Sequence, residues 1–245
     1  MNEEMLEIYT GLERYGPGDD ETTKRAFNLC KLPENPSIVD IGCGSGASAL
    51  CLAGLKKCRI TAVDNYDKFL NELRKKAEQK GLSESISIIN ADMSALDFPE
   101  ESFDLVWSEG AIYNMGFENG LKAFSRFLKK GGYMAVTEIT WIKNRIPEEL
   151  KKFWDKEYPP MTTMLDNAET IKKCGLQLKG MFELGKKAWN NYYNPLESRV
   201  KEYIKEKAGN EKALEAAALV QEEIDIYRAY GDYYDYVFYV MQKPK

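Results

Sequence analysis

At 245 residues the chain is long enough for one sizeable domain with an appendage and short for two independent cores. A formal net charge of −5 argues against a surface that tracks nucleic-acid phosphates, and a 44% hydrophobic, 30% charged composition suggests neither disorder nor a disulfide scaffold. The sequence contains no histidine, which excludes His-based triads and His-containing zinc sites and removes the commonest general base.

The opening Met1-Asn2-Glu3-Glu4-Met5 is acidic where a secretion signal is basic, and no apolar run approaches the roughly 18 residues of a membrane span. Export and membrane insertion are therefore not expected. Helices are predicted over Glu3–Leu12 and Asp20–Leu32, joined by Tyr15-Gly16-Pro17-Gly18, a turn by composition. Five cysteines, Cys30, Cys43, Cys51, Cys58 and Cys174, form no C-x-x-C pair and make an odd count, so no metal site is expected and a reducing cytoplasm fits best.

From Ser37 onward, short β-branched runs alternate with amphipathic stretches, the pattern of βαβ units on a parallel sheet. Strands are predicted at Ser37–Ile41, Arg59–Asp64, Ser85–Asn90, Phe103–Ser108 and Tyr133–Thr140. Helices are predicted at Ala47–Leu55, Asp67–Lys80 and Asn119–Lys130, the last two stopped by Gly81 and Gly131-Gly132. Beyond Thr140 the rhythm breaks. Trp141–Pro160 is helical in pattern, Ala168–Cys174 a helix, Leu176–Glu183 a strand, Ala188–Tyr230 mostly helical, and Tyr236–Gln242 a closing strand.

The first strand runs into Gly42-Cys43-Gly44-Ser45-Gly46. Glycines there let the chain turn tightly and a ligand approach the backbone at the start of a helix. Gly42-x-Gly44-x-x-Ala47 also satisfies the dinucleotide fingerprint, and Asp64, about 20 residues on, is placed to accept ribose hydroxyl protons. These features suit an adenosine-bearing ligand without separating a nicotinamide cofactor from other kinds.

Five segments in order then resemble the class I (Rossmann-like) S-adenosylmethionine-dependent methyltransferases, of the small-molecule type. Val39-Asp40-Ile41-Gly42-Cys43-Gly44-Ser45-Gly46 is similar to the family's first motif, with Asp40 two positions before the first glycine. Ala91-Asp92-Met93, Phe98-Pro99, Ser102-Phe103-Asp104-Leu105-Val106 and Leu128-Lys129-Lys130-Gly131-Gly132-Tyr133 match its later segments. The resemblance implies S-adenosylmethionine as cofactor, with Asp64 and Asn65 at the ribose, Asp92 and Met93 at adenine, and Asp40, Gly42–Gly46 and Glu109 around the remainder. It further implies that Tyr15 to Gly18 lies beside the methionine end.

The fold expected is α/β: a seven-stranded, mostly parallel Rossmann-like sheet with helices on both faces, its last strand antiparallel. Residues 1–245 form a single domain, with 1–36 a helical cap, 37–140 the cofactor-binding core, and 141–170 and 188–230 helical insertions forming a substrate lid. Methyl transfer from a sulfonium chiefly needs alignment and exclusion of water. No catalytic residue is assigned; Glu109, Tyr113 and Glu138, near strand ends, are candidates to take a proton from an acceptor. Tyr113, Trp141, Trp189, Tyr192 and Tyr193 are expected to meet the acceptor. Tyr158-Pro159-Pro160 reads as a helix breaker. The acceptor is a small molecule of unidentified kind; an NAD-dependent oxidoreductase and a cofactor-binding protein without transferase activity are the alternatives.

Overall fold

The computed structural model describes residues 3–245; Met1 and Asn2, which open the expected 1–36 cap, lie outside the described residues. Strands β1 (Ser37–Ile41), β2 (Arg59–Asp64), β3 (Ile86–Asn90), β4 (Phe103–Ser108) and β5 (Leu128–Trp141) pair in parallel in the order β3-β2-β1-β4-β5. Helices α3 (Ala47–Leu55), α4 (Asp67–Gln79) and α5 (Phe117–Ser125) connect them. The sheet continues with β8 (Tyr234–Gln242), antiparallel to β5, and ends with β7 (Gln177–Glu183), antiparallel to β8.

Two departures from the sequence expectation have local causes. Helix α5 stops at Ser125 rather than at Lys130, because the chain turns at Arg126-Phe127 and Leu128 already pairs with Phe103. Strand β5 therefore starts five residues early and crosses a register shift between Phe103 and Leu105. An eighth strand, β6 (Thr162–Thr163), pairs with Thr140 and Trp141; two residues are too short to show a period in sequence.

The insertion after β5 is helical only over α6 (Glu148–Glu157), with Tyr158 as the cap where Pro159-Pro160 breaks the pattern. Helix α7 (Met164–Lys173) begins four residues before its expected start, because Thr163 accepts from the Asp166 amide and caps it there. The last insertion is two long helices, α8 (Lys186–Glu206) and α9 (Glu211–Tyr230). At the N-terminus, α1 (Glu3–Tyr9) precedes α2 (Asp20–Asn28), whose capping box is closed between Asp19 and Thr22.

Alternation along the strands builds two cores. Ile38, Leu105, Trp107 and Ala135 pack with α2 to α4 on one side, and Val39, Ile41, Val106, Met134 and Val136 pack with α5 and α7 on the other. A third apolar cluster joins α1, α8 and α9 with Ile139 and Tyr234 of the sheet. No helix among the described residues is long and apolar enough to cross a membrane, and all five cysteines are free.

Candidate functional site

The strand order reverses between β1 and β4, so the loops leaving their carboxyl ends diverge and open a crevice. A cavity of about 650 Å³ lies there. Four chain segments form its wall: 13–17, 42–45 with Ala47 and Ser48, 64–66 with Phe69, and 92–94; 109–111, 113–115 and Leu6 complete it. Tyr15, Gly42, Cys43, Gly44, Ser45, Asp64, Asn65, Asp92, Met93, Glu109 and Tyr113, singled out in sequence, all line it.

The glycine loop is folded tightly onto its own neighbours. The Gly42 and Cys43 amides donate to the Val63 carbonyl at 2.8 and 2.9 Å, the Gly44 amide to Asp64 Oδ2 at 2.9 Å, and the Gly46 amide to the Cys43 carbonyl at 2.8 Å. Gly44 has φ +53°, and a Cβ there would stand 2.8 Å from Tyr15 Cδ2, so only glycine allows the Tyr15 ring to close over the loop. That ring stacks on Phe69, centroids 3.9 Å apart, and its hydroxyl donates to Glu72 Oε2 at 2.9 Å.

Asp64 also accepts the Tyr66 amide on Oδ1 at 3.0 Å, which fixes its carboxylate toward the cavity side of β2. Burial pushes its carboxyl up, against the pull of the Gly44, Tyr66 and Asn65 amides. Asp92 accepts from the Ser94 hydroxyl and amide through Oδ1, and these bonds hold its carboxyl below the ordinary range. Ser45 accepts from Lys76 Nζ at 2.9 Å.

Glu109 is an anchor. Its Oε1 accepts from Thr23 Oγ1 and Trp107 Nε1, each at 2.8 Å, and its Oε2 accepts from Arg14 Nη1 at 3.2 Å. Arg14 reaches on to Asp20 Oδ1 at 2.8 Å and lines the cavity. Sequence reasoning missed Arg14; the signal available was a lone cation directly before Tyr15 at the cap loop.

Three of the residues expected at the cofactor stand one step behind the wall. Asp40 is 1% exposed, its Oδ2 meets no partner among the described residues, and burial, with the charges of Glu109 and Asp64, pushes its carboxyl well up. Gly18 sits against Glu109 and Arg14, where a Cβ would come within 3.2 and 3.3 Å of them. Gly46 starts α3 with φ +84°, and a Cβ there would fall 2.1 Å from Leu73 Cδ1. Burial pushes the Cys43 thiol well up, so it is no thiolate nucleophile.

Four of the aromatics expected at the acceptor are not on the cavity wall. Trp189 donates to Asp235 Oδ1 at 2.6 Å and stacks on Tyr227, centroids 4.5 Å apart. Tyr193 donates to Glu223 at 2.8 Å, Tyr192 faces Tyr9, and Trp141 meets Tyr234 edge-on. Their large apolar area is used to weld α8 and α9 to the sheet. Only Tyr113 of that set reaches the cavity, with its ring edge-on to Tyr158, centroids 6.0 Å apart. The Tyr158 hydroxyl donates to Glu138 Oε1 at 2.5 Å. No group of three or more Cys, Asp or Glu side chains suited to a metal ion is found among the described residues.

Residues 38–132 match the family model of a methyltransferase domain. A phosphoethanolamine N-methyltransferase of Plasmodium falciparum is 24% identical over 206 residues, 82% of this chain and 74% of that protein. A sterol 24-C-methyltransferase of Eremothecium gossypii is 28% identical over 149 residues, 58% of this chain. The chain spans 29 to 40% of the length of three such sterol enzymes.

Among solved structures, an S-adenosylmethionine-dependent methyltransferase of Geobacter sulfurreducens in complex with S-adenosyl-L-homocysteine superposes with TM-score 0.88 at 16% identity, covering 100% of this chain and 99% of that one. The [4+2]-cyclase SpnF superposes with TM-score 0.77 at 19% identity, covering 98% and 91%. The fold is that of the class I methyltransferases. Within that fold, residues 38–132 carry the match to a methyltransferase domain.

Proposed function

We propose that this protein binds S-adenosylmethionine in the cavity above β1 and β4 and transfers its methyl group to a small-molecule acceptor. The observation that carries the reading is the pairing of carboxylates with an inward-turned loop. Asp64 and Asp92 end β2 and follow β3 on one cavity wall, where acidic acceptors suit ribose hydroxyls and an exocyclic amine. The amides of Gly42, Cys43, Gly44 and Gly46 are spent on Val63, Asp64 and Cys43, so they offer no cradle for a diphosphate. A dinucleotide would bring two negative phosphates against Asp64 and Glu13, which line the cavity.

In this reading Asp64 holds the ribose, Asp92 and the Met93 backbone read adenine, and Arg14 takes the amino-acid carboxylate. Glu109 holds Arg14 in place, and Asp40 and Gly18 support that end from behind. Tyr15 closes over the loop and keeps water out. When bound, the sulfonium supplies a methyl carbon already activated for in-line displacement, so the chain's own residues need only position the acceptor. We assign 37–140 to cofactor binding and α1, α6, α8 and α9 to the cover over it, in a single domain working in the cytoplasm without nucleic acid or membrane.

Incubation with S-adenosylmethionine carrying a labelled methyl group, over amines, alcohols, phenols and thiols, tests this reading. Label must appear in at least one acceptor, and Asp64→Ala must lower the apparent cofactor affinity by about 10- to 100-fold. Tight cofactor binding without label transfer to any class would favour the alternative of a cofactor-binding protein that is not a transferase. The [4+2]-cyclase that shares this fold is an instance of the fold carrying chemistry other than methyl transfer.

A further inference from the structure

Helix α4 carries Phe69, Glu72, Leu73 and Lys76 at the spacing that puts side chains on one helical face. That face meets both the cap loop and the glycine loop. Phe69 stacks on Tyr15, and Leu73 packs so closely on Gly46 that a Cβ there has no room. Glu72 uses both carboxylate oxygens on the cap: Oε1 accepts from the Gly11 amide at 3.1 Å and Oε2 from the Tyr15 hydroxyl at 2.9 Å. Lys76 Nζ stands 3.9 Å from Glu72 Oε2 and donates to Ser45 Oγ at 2.9 Å. The Ser45 hydroxyl donates in turn to the Glu13 carbonyl at 3.4 Å.

Alternate cap residues, Gly11, Glu13 and Tyr15, are thus each tied down by α4 directly or through Ser45. Hydrogen bonds to an ionised acceptor are roughly twice as strong as those between neutral groups, so Glu72 carries the larger share of this restraint. Glu13, Tyr15 and Ser45 line the cavity, whereas Glu72 and Lys76 stand outside its wall. On its other side the cap is pinned by Arg14 to Glu109. Arg14 faces the cavity, so only the α4 side restrains the cover without itself offering a group to a ligand.

We propose that Glu72, supported by Lys76, is a latch that sets how fast the cofactor enters and leaves, a positioning residue acting through Tyr15. This rests on the cofactor-binding reading above. For the cover to open, the Tyr15 ring must leave Gly44 and Phe69, and its hydroxyl must leave Glu72. Weakening Glu72 lowers the barrier to that motion in both directions. Entry and exit then quicken together, whereas loss of a direct ligand contact quickens exit alone.

Stopped-flow binding of S-adenosyl-L-homocysteine to the full chain, in the native protein, Glu72→Ala, Tyr15→Phe and the double variant, tests the latch. Glu72→Ala should raise kon and koff together by about 10-fold, leaving Kd within about threefold of native. Amide exchange should quicken across residues 10–18 and stay unchanged in β1 and β4, which a general loss of stability would not produce. Tyr15→Phe keeps the ring and removes the hydroxyl bond, so it should quicken both rates in the same way. It carries the test if Glu72→Ala does not fold. Because the two residues share a bond, the double variant should fall short of the product of the single effects. Rates unmoved in the single variants, or a faster koff with kon unchanged, overturn the latch and leave the cofactor reading standing. Failure of the native chain to bind the probe overturns both together.

Discussion

Arg14 and Glu109, 95 residues apart, form an ion pair of 3.2 Å in which the side chains are 12% and 6% exposed. The pair ties the cap loop to the end of β4 across the cavity. Breaking a buried pair by removing one partner costs about 3–5 kcal/mol, because the remaining charge is left uncompensated. Arg14→Ala should therefore lower both thermal stability and cofactor affinity, and Arg14→Lys should restore little. A lysine cannot span Glu109 and Asp20 as the guanidinium fork does. Thermal melts with and without S-adenosyl-L-homocysteine check this; equal melts for the alanine variant and the native chain contradict it.

Gly44→Ala and Gly46→Ala separate function from folding. At Gly44 the added Cβ meets Tyr15, part of the cavity cover, and at Gly46 it meets Leu73 in the core under α3. Gly44→Ala should weaken cofactor binding by about 10-fold or more, given a left-handed conformation and a ring that must move. Gly46→Ala should chiefly destabilise the fold. Urea midpoints beside binding isotherms distinguish the two, and normal cofactor binding by Gly44→Ala would contradict a role for the Tyr15 contact.

Glu138 makes stability depend on pH. Burial raises its carboxyl from an ordinary 4.5 to about 8. The folded chain therefore keeps this proton where the unfolded chain has lost it, so the contribution is full below pH 4.5 and fades as pH rises toward 8. Glu138→Gln should remove this part of the slope and melt higher than the native chain at pH 8. A melting temperature equally steep in pH for both chains would show that the group does not titrate as described.

Trp189→Phe tests the aromatic weld under α8. The indole donor to Asp235 is lost, and the Asp235 carboxyl, already raised to about 6 by burial, loses one of the bonds that restrain it. The expected cost is about 1–3 kcal/mol of stability at neutral pH with little effect on cofactor affinity, measured by urea unfolding and calorimetry.

Much of this arrangement is legible in the chain. β1, β2, β4, α3 and the glycine loop begin and end where β-branched runs and the Gly42–Gly46 turn put them, because local propensity and burial agree there. The α5–β5 junction was not legible, since Leu128-Lys129-Lys130 continues a helical pattern and only pairing with Phe103 pulls it into the sheet. The orientation of the lid aromatics was not legible either. Period distinguishes a buried face from an exposed one but not a cavity wall from a core, so Trp189, Tyr192 and Tyr193 read alike with Tyr113. Arg14, Tyr158 and the unpartnered edge of Glu138 owe their places to contacts made across the fold, which no spacing in sequence encodes.

Calorimetric titration of the full chain with S-adenosyl-L-homocysteine and, separately, with NAD separates the two cofactor types. The carboxylate-lined, inward-turned loop predicts saturable binding of the homocysteine nucleoside, weakened by Asp64→Ala, and no detectable heat with NAD. Tight binding of NAD with no response to S-adenosyl-L-homocysteine would contradict it.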